Sequence, residues 1–503
     1  MIRATKDVRV ARNERIRKDK ALQFPTRSKV KKASHATMTA EIFVTHDEAP
    51  EDMAMLQALY SRSPAGVKSH LEKLKASGSG SFMERYYVGY GHASIGDCGT
   101  TTVFIEQVSM LAAKAIQDHP LYSGQEASTR YLDFSKQEIL DPYHHPQSSA
   151  VQSAWLDLYK RTLAELIQGL THRRPFDPSE YKNETVWKNA LSARAFDIAR
   201  CLLPVGATTL LSWTTNLRQA RDHLRSLKHH PLPEVRDVAH QIFSALKDKY
   251  THSFRGDEMT SVDTRDAYAQ KYAETNFFIA PETIQKRSDL TADEMKTLAR
   301  GGLVVRRDAI DIDGLNRHEK ELLATRPSGA ALPRWLDSYG RYNLFFLIDF
   351  GSFRDIQRHR NGVCQIPRID GAFGLNPWYE DQLRALLSPP SYAAFKKDFD
   401  AQMARIQNLS NAGVPTTPLL DQYLYPMGMQ VLAHVSYSVP QVVYVGELRS
   451  GKTVHGSLRP AAQNMLRVLQ EDLPGIAIYG DFDLDDWSAK RGEQTILEKA
   501  ANG

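Results

Sequence analysis

Apolar side chains recur every three to four residues over much of this chain, which is the period of an amphipathic helix. The pattern predicts helices over Glu51–Ser61, Ala150–Leu170, Val186–Leu202, Asn216–His229 and Pro233–Tyr250. Short runs rich in β-branched residues, at Thr100–Ile105 and Val439–Val445, predict strands. Because the two kinds of element follow one another without regular alternation, we expect an α+β fold with a mixed sheet and helices.

The order of these patterns repeats, and this repeat is the main indication of domain organisation. An apolar stretch, a helical pattern and a His-centred triplet follow one another in residues 101–120 and again in residues 344–360. Further along, each half contains a Leu-Arg pair and then another arginine, Arg218 and Arg236 in the first half and Arg449 and Arg459 in the second. We therefore predict two tandem domains of one fold, 38–275 and 276–503, with the boundary inside the weakly patterned residues 275–307.

Composition narrows the class of protein. The chain has 503 residues with an apolar fraction of 42%, enough for more than one core. It contains no apolar run of the roughly 18 residues that a membrane span needs, and no apolar signal segment follows Met1. Cys98, Cys201 and Cys364 form no CxxC pair, so we expect reduced thiols, a cytoplasmic location and no metal site.

Basic residues are concentrated at the N-terminus, in residues 1–37. The simplest interpretation is a disordered, solvated tail, or an upstream extension before a true start at Met38. A nucleic-acid-binding arm is an alternative. A transit peptide is a further alternative, against which Asp7, Glu14 and Asp19 argue.

The triplet Arg358-His359-Arg360 is the densest polar cluster after an apolar stretch. Two guanidiniums around an imidazole can bind a pyrophosphate or polarise a flavin ring, because arginine offers a rigid fork of donors. A solvated basic helix end is the alternative, since cations favour the C-terminal end of the helix dipole.

The loop Ser123–Tyr131 (SGQEASTRY) groups a carboxylate, hydroxyls and an arginine in a short polar segment. Such a loop can hold a nucleotide, with Arg130 on the phosphate and with Ser128 and Glu126 on the sugar and base. An ordinary polar turn is the alternative.

Arginines also recur along one predicted helix, at Arg218, Arg221 and Arg225, and their spacing places them on one face. Together with Arg236 they can converge on an anion. Surface ion pairs with the acidic residues nearby are the alternative.

One motif suggests a different function. Gly446–Thr453 fits the Walker A pattern, and residues 475–481 imitate a Walker B strand. Only about 50 residues follow Thr453, too few for the parallel strands that a P-loop domain builds. A coincidence is therefore the preferred interpretation, with an ATP site as the alternative. The G-x-G-x-x-G fingerprint is absent, so a flavin would be bound in another way.

In their order, these motifs resemble the flavin-dependent thymidylate synthase family. The family signature is an Arg-His-Arg triplet followed by a segment close to S-x-N-E-x-S-x-R-Y. The first half matches that segment at Ser123–Tyr131 but has Asp118-His119-Pro120 in the place of the triplet. The second half keeps the triplet, but Asn361–Arg368 lacks the Glu and Ser that should follow.

Four shorter elements of the first half add to the resemblance. The family's G-H-x-S, A-R-x-x-L-P, N-L-R and E-I-R elements are similar to Gly91–Ser94, Ala199–Pro204, Asn216–Arg218 and Glu234–Arg236. The resemblance in the first half spans roughly residues 51–250. Each half thus keeps motifs that the other lacks.

The resemblance implies reductive methylation of dUMP to dTMP, with methylenetetrahydrofolate as the carbon donor and NADPH as the reductant of FAD. The residues it assigns to the nucleotide are Glu126, Ser128, Arg130, Arg218 and Arg236. Those it assigns to FAD are Arg358, His359 and Arg360. Those expected to be catalytic are Ser128, Arg236 and His92.

Family enzymes are homotetramers whose sites lie between subunits, so the resemblance implies one composite site per chain and a homodimer that forms a pseudo-tetramer. Three other functions stay open: a flavoenzyme that modifies another pyrimidine nucleotide, a catalytically degenerate nucleotide-binding homologue, and a nucleic-acid-associated factor.

Overall fold

The computed structural model describes residues 48–63, 67–254, 258–273 and 289–493 of the chain. The basic segment 1–37 lies outside the described residues, and so do residues 275–288, the first part of the region in which the domain boundary is expected. Among the helices in the described ranges, none combines the length and apolar character needed to cross a membrane.

Helices make up most of the first half, and two strands interrupt them. In chain order its elements are α1 (Pro50–Tyr60), α2 (Val67–Ser77), α3 (Gly80–Phe82, continued by the π-helix Met83–Gly89), the 3-10 helix Ala93–Cys98, β1 (Thr100–Ser109), α4 (Met110–Gln117), α5 (Pro146–Arg173), α6 (Glu184–Ala199), the 3-10 helix Arg200–Leu202, β2 (Thr208–Asn216), α7 (Leu217–Leu227), α8 (Pro233–Lys249) and α9 (Thr264–Lys271).

The second half follows the same general order and adds two short strands. Its elements are α10 (Ala292–Ala299), β3 (Val304–Arg306), α11 (Ile312–His318), α12 (Lys320–Thr325), the 3-10 helix Arg334–Tyr339, β4 (Tyr342–Asp349), α13 (Phe350–Ile356), β5 (Val363–Gln365), α14 (Pro377–Leu386), α15 (Pro389–Gln407), the 3-10 helix Ser410–Ala412, α16 (Pro418–Asp421), the 3-10 helix Gln422–Leu424, β6 (Gln430–Tyr437), α17 (Val439–Ser450), α18 (Arg459–Asp472) and the 3-10 helix Ala489–Gly492.

Each half is organised around one antiparallel strand pair. In the first half β1 pairs with β2, and Thr100 lies opposite Asn216. The register shifts between Ile105 and Val108, where Gln107 adopts a positive φ of 57°, as expected for a β-bulge. In the second half β4 pairs with β6, and the edge strands extend the sheet to the order β3-β4-β6-β5.

The α+β class is confirmed, but the sheets are not mixed. Every strand pairing among the described residues is antiparallel. The five helices predicted from periodicity are present within a few residues of their expected bounds, and the strand predicted at Thr100–Ile105 continues to Ser109.

The strand predicted at Val439–Val445 is wrong, because this run forms the first part of helix α17. Pro440 lies in the first turn, where its missing N–H is tolerated. Val442, Val443 and Val445 are buried, so burial rather than intrinsic propensity decides the conformation. The strand of this region is the preceding β6.

The two halves are joined by a reciprocal exchange of backbone hydrogen bonds. The N–H of Val205 donates to the carbonyl of Tyr425 at 2.9 Å, and the N–H of Met427 donates to the carbonyl of Leu203 at 2.8 Å. Two glycines beside them repeat the exchange: Gly206 donates to Tyr423 and Gly428 donates to Cys201, both at 3.0 Å. Buried residues of both halves form one continuous core around this junction.

Candidate functional site

The triplet Arg358–Arg360 follows the end of α13 and lines an open cleft of about 820 Å³. The other walls of the cleft come from the loop 326–337, from α17 and from Tyr479, all in the second half. Apolar and aromatic side chains, including Leu332 and Tyr444, cover much of the surface. All three residues expected to bind FAD therefore face one cavity.

His359 is held as a neutral imidazole by its neighbours. Nε of Arg449 donates a hydrogen bond to Nε2 of His359 at 2.9 Å, which places the ring proton on Nδ1. Burial, helped by the charge of Arg449, lowers the pKa of His359 to about 3. Arg449 is itself anchored by a hydrogen bond from Nη2 to the backbone carbonyl of Asp355 at 3.0 Å.

A buried carboxylate, Asp355, lies among arginines from both halves. Burial alone would raise the pKa of this carboxyl, but Arg358, Arg449 and Arg130 outweigh it and hold the pKa well below its usual range. Nη1 of Arg358 lies 3.7 Å from Asp355. Because Arg130 belongs to the loop Ser123–Tyr131, charges of both halves act on this carboxylate, although Arg130 does not line the cleft beside the triplet.

Arg130 is fixed by a second buried carboxylate, Asp197 on α6. Nε and Nη2 of Arg130 donate to the two oxygens of Asp197 at 2.8 and 3.1 Å. Nη2 also donates to the carbonyl of Thr453 at 3.1 Å, another contact between the halves. Within the described residues Nη1 of Arg130 makes no hydrogen bond to protein, so that end of the guanidinium is available to an anion.

Glu126 differs from its expected role in nucleotide binding. Its side chain is 1% exposed and lies 2.6 Å from Lys114 of α4 and 2.5 Å from Arg354 of α13. Gln117 donates to it as well, at 3.0 Å. Since these donors occupy both carboxylate oxygens, Glu126 joins the two halves rather than facing a ligand. We call Lys114, Glu126 and Arg354 the buried ion cluster.

The charges of this cluster follow from its geometry. Burial would raise the pKa of Glu126, but Arg354 and Lys114 prevail and lower the pKa to about 2. Burial, reinforced by Arg354, lowers the pKa of Lys114 to about 7, against the attraction of Glu126. Glu126 is therefore ionised at neutral pH, because the guanidinium beside it is always charged.

Ser128 stays close to Arg130, and its Oγ accepts the backbone N–H of that residue at 3.3 Å. Arg236, in the first turn of α8, donates from Nη1 to the carbonyls of His230 and Pro231 at 2.8 Å each. His92 is exposed and packs its ring against Tyr90. Neither His92 nor Arg236 lines the cleft beside the triplet.

The arginines of α7 are engaged in ion pairs, as the alternative interpretation expected. Arg218 contacts Asp97 at 2.7 Å, and both side chains are about one third exposed. Arg221 pairs with Glu258, and Arg225 pairs with acidic residues of the following segment. The structure does not bring Arg218 to the triplet, although Arg218 keeps an exposed surface.

The counterpart of the triplet in the first half, Asp118-His119-Pro120, follows α4 as the triplet follows α13. Arg360 reaches across to this region: its Nε donates to the carbonyl of Gln117 at 3.0 Å, and its guanidinium lies 4.8 Å from the ring centre of Tyr122. The triplet therefore contacts the segment that leads into the loop Ser123–Tyr131.

The arginines that follow the triplet in the second half, Arg449 and Arg459, differ in structural position from Arg218 and Arg236 of the first half. Arg449 lies in the last turn of α17, whereas Arg218 lies in the first turn of α7, so the two Leu-Arg pairs are not equivalent in position. Arg459 is buried and donates to the carbonyl of Ser450, whereas Arg236 is half-buried. Arg449 instead donates a hydrogen bond to His359 of the triplet.

The Walker-like segment is not a phosphate-binding loop. Gly446–Ser450 forms part of helix α17, so its N–H groups are committed to the helix. Lys452 pairs with Asp483 at 2.6 Å on the surface. The conformation supports the interpretation of the match as a coincidence.

Comparisons with known proteins agree with the motifs. The family described as thymidylate synthase complementing protein matches residues 43–250. A UPF0159 protein of Chlamydia pneumoniae is 23% identical over 518 aligned residues, which cover 89% of this chain and 93% of that protein. A UPF0159 protein of Thermoplasma acidophilum is 24% identical over 501 residues, 87% of this chain and 98% of its own length. These similarities extend through both halves. The part of the chain that this family model matches, residues 43–250, is thus similar to the thymidylate synthase complementing protein family.

Proposed function

We propose that this chain catalyses the reductive methylation of dUMP to dTMP at a composite site between its halves, with methylenetetrahydrofolate and NADPH as co-substrates and FAD as the cofactor. The observation that supports this most is the set of contacts between the halves around the nucleotide loop and the triplet. Nη2 of Arg130 in the loop donates to the carbonyl of Thr453 at 3.1 Å, and Nε of Arg360 in the triplet donates to the carbonyl of Gln117 at 3.0 Å. Proximity of nucleotide and flavin is what the transfer requires.

The cleft suits a flavin dinucleotide in size and in chemistry. Its volume of about 820 Å³ lies in the range of ligand pockets. Arg334 and Arg358 offer guanidiniums for a pyrophosphate, and Tyr444 and Tyr479 offer rings for stacking. When bound, FAD would supply the redox chemistry of the reaction.

The residues of the chain would then bind and orient FAD and the nucleotide. Arg358 and Arg360 would bind the cofactor's anionic groups, and neutral His359 would donate from Nδ1. Arg130 would present Nη1 to the nucleotide phosphate while Asp197 holds the rest of the guanidinium. Ser128 lies beside Arg130 and remains our candidate for contact with the base or sugar.

Arg218, Arg236 and His92 would act away from the triplet. Arg218 is partly exposed and could exchange Asp97 for a phosphate. Arg236 and His92 lie outside the cleft, so they would act only on a part of the nucleotide or folate that extends beyond it.

We also propose that the halves are tandem copies of one domain. The order of a strand, a helix, a triplet, long helices, a second strand and two helices is common to both, and the exchange of backbone bonds between them is reciprocal. By analogy with the family, two chains would form a pseudo-tetrameric homodimer.

The test uses the purified full chain, its flavin absorbance and its dUMP binding. Arg358→Ala combined with Arg360→Ala should release FAD, because each charge-assisted contact contributes roughly 1.5–3 kcal/mol. Arg130→Ala should abolish dUMP binding and leave FAD bound.

The matched control is the counterpart of the triplet in the first half. Asp118→Ala combined with Pro120→Ala should leave the flavin absorbance unchanged. Loss of FAD in this control alone would mean that the halves have the opposite roles. Absence of dTMP from the intact chain supplied with dUMP, both co-substrates and FAD would refute the proposed reaction.

The placement of Glu126 favours a second candidate, a flavoenzyme that modifies another pyrimidine nucleotide. Because Glu126 is buried in the ion cluster, the contacts of this chain to the base and sugar would differ from those expected by resemblance. Identification of the product by mass spectrometry, for example of a hydroxymethylated nucleotide, separates the two reactions.

A further inference from the structure

The C-terminal segment Asp485–Gly492 of the second half lies along helix α6 of the first half. Asp486 accepts two hydrogen bonds from Arg194 of α6, at 2.9 and 3.0 Å. At the far end, a Cβ on Gly492 would lie 2.0 Å from the carbonyl oxygen of Val186, so only glycine allows this approach. The segment is thus fixed on α6 at both ends.

Between these ends, Arg491 inserts its side chain beside Arg130. Arg491 contacts the carboxylate of Asp197, the same carboxylate that holds Arg130. The Arg491 guanidinium also lies 5.0 Å from the ring centre of Tyr131, and its Nη2 donates to the carbonyl of Arg130 at 3.4 Å. Arg491 and Asp197 are both buried.

The two arginines share Asp197 in a way that constrains its orientation. Burial would raise the pKa of Asp197, but Arg130 and Arg491 together hold it well below its usual range. With contacts from both arginines, the carboxylate plane has little freedom to rotate. Nε and Nη2 of Arg130 each donate to one oxygen of that carboxylate, so Arg491 constrains the direction of the remaining Nη1 group through Asp197.

We propose that Arg491 is a positioning residue for the nucleotide phosphate, acting through Asp197 on Arg130. This inference rests on the proposed function, because it takes Arg130 as the phosphate ligand. The second half would thus contribute to the site twice, with the triplet for FAD and with the segment Asp485–Gly492 for the nucleotide loop of the first half.

The experiment compares Arg491→Met with Arg194→Met in the full chain. Both variants remove one arginine that joins the C-terminal segment to α6, but Arg194 contacts Asp486 and not Asp197. Arg491→Met should raise the Kd and KM for dUMP by about tenfold, the size of one charge-assisted contact, and leave the flavin spectrum unchanged. Arg194→Met should leave dUMP affinity within about twofold at a similar loss of thermal stability.

Arg491→Lys provides a second variant in case the methionine variant does not fold. A lysine keeps the charge but not the fork, so it should restore part of the dUMP affinity. Equal dUMP affinity in Arg491→Met and the wild type, or an equal loss in Arg194→Met, would overturn the positioning role. If the wild-type protein itself binds FAD but no dUMP, the proposed function fails instead, independently of Arg491.

Discussion

The same strand position is exposed in one half of the molecule and buried in the other. Phe104 of β1 is 76% exposed, whereas Phe345 of β4 is 6% exposed. Phe104 lies opposite Ser212, four positions before Asn216, the N-cap of α7. Phe345 lies opposite His434, four positions before Ser438, the N-cap of α17. The equivalence is therefore one of register as well as of residue type.

The second strand of each pair shows the same contrast. Leu210 of β2 is 53% exposed, whereas Leu432 of β6 is fully buried. In the second half Leu298 of α10 and Val304 of β3 pack with Phe345 and Leu432 in a separate small cluster. No element among the described residues of the first half covers the corresponding face. The comparison shows that one strand pair can serve as an inner layer or as an outer one, depending on what the chain places over it.

Truncation of the two phenylalanines gives the largest expected difference between the halves. Phe345→Ala should lower the free energy of unfolding by about 3–5 kcal/mol, because it opens a cavity beneath α10. Phe104→Ala should lower it by less than about 1 kcal/mol, since an exposed ring has little to lose. Denaturant titration of both variants measures the difference. A loss of equal size in Phe104→Ala would show that its face is covered in solution.

The buried ion cluster provides the next test, because its carboxylate comes from the first half and its basic residues come from both halves. Lys114 is the fifth residue of α4 and Arg354 is the fifth residue of α13, so one carboxylate, Glu126 of the first half, serves a basic residue from each. Glu126→Gln removes that charge at nearly constant volume. Since the pKa of Glu126 is lowered from 4.5 to about 2, we expect a loss of about 3 kcal/mol in unfolding free energy at pH 7.

The pH dependence follows from the direction of that shift. A carboxyl whose pKa is lower in the folded state contributes stability above its unfolded pKa and loses it as the pH falls toward the folded pKa. Protonation of Glu126 should therefore lower the unfolding free energy of the wild-type protein as the pH falls from 4.5 to about 2. In Glu126→Gln the unfolding free energy should depend less on pH over this range. Denaturation curves at several acidic pH values give the slope; an unchanged slope would mean that Glu126 is not ionised in the folded protein.

The smallest expected effect concerns the Walker-like segment, which has no counterpart of known role in the first half. Lys452→Ala should change the unfolding free energy by less than about 1 kcal/mol, because its pair with Asp483 is a surface pair. It should leave nucleotide binding and product formation unchanged. Measurable ATP hydrolysis that disappears in this variant would contradict the structural interpretation.

Strong hydrophobic periodicity made the long helices predictable. Prediction from periodicity failed for a helix that is buried on most sides. The apolar stripes of α5 and α8 leave polar faces that reveal the helical period. Helix α17 begins with a valine-rich run that is buried on most sides, so its period is hidden and its β-branched residues suggest a strand. Tertiary packing decided this element, and local propensity did not.

The candidate site was predictable where a motif is contiguous and not where contacts join distant parts of the chain. The triplet and Arg130 could be singled out from short segments. Asp197 could not, because its partner Arg491 lies 294 residues away. A local indication did exist for Asp355, which lies in the last turn of α13, three positions before Arg358, and pairs with it.

The reciprocal exchange of backbone bonds at Pro204 and Pro426 has a consequence for how the molecule opens. The amide protons of Val205, Gly206, Met427 and Gly428 are buried and bonded only across the junction between the halves. They can reach solvent only when the halves separate or the whole chain unfolds. Hydrogen exchange at these four amides therefore reports the separation of the halves directly, while amides inside α5 or α8 report the integrity of a single half.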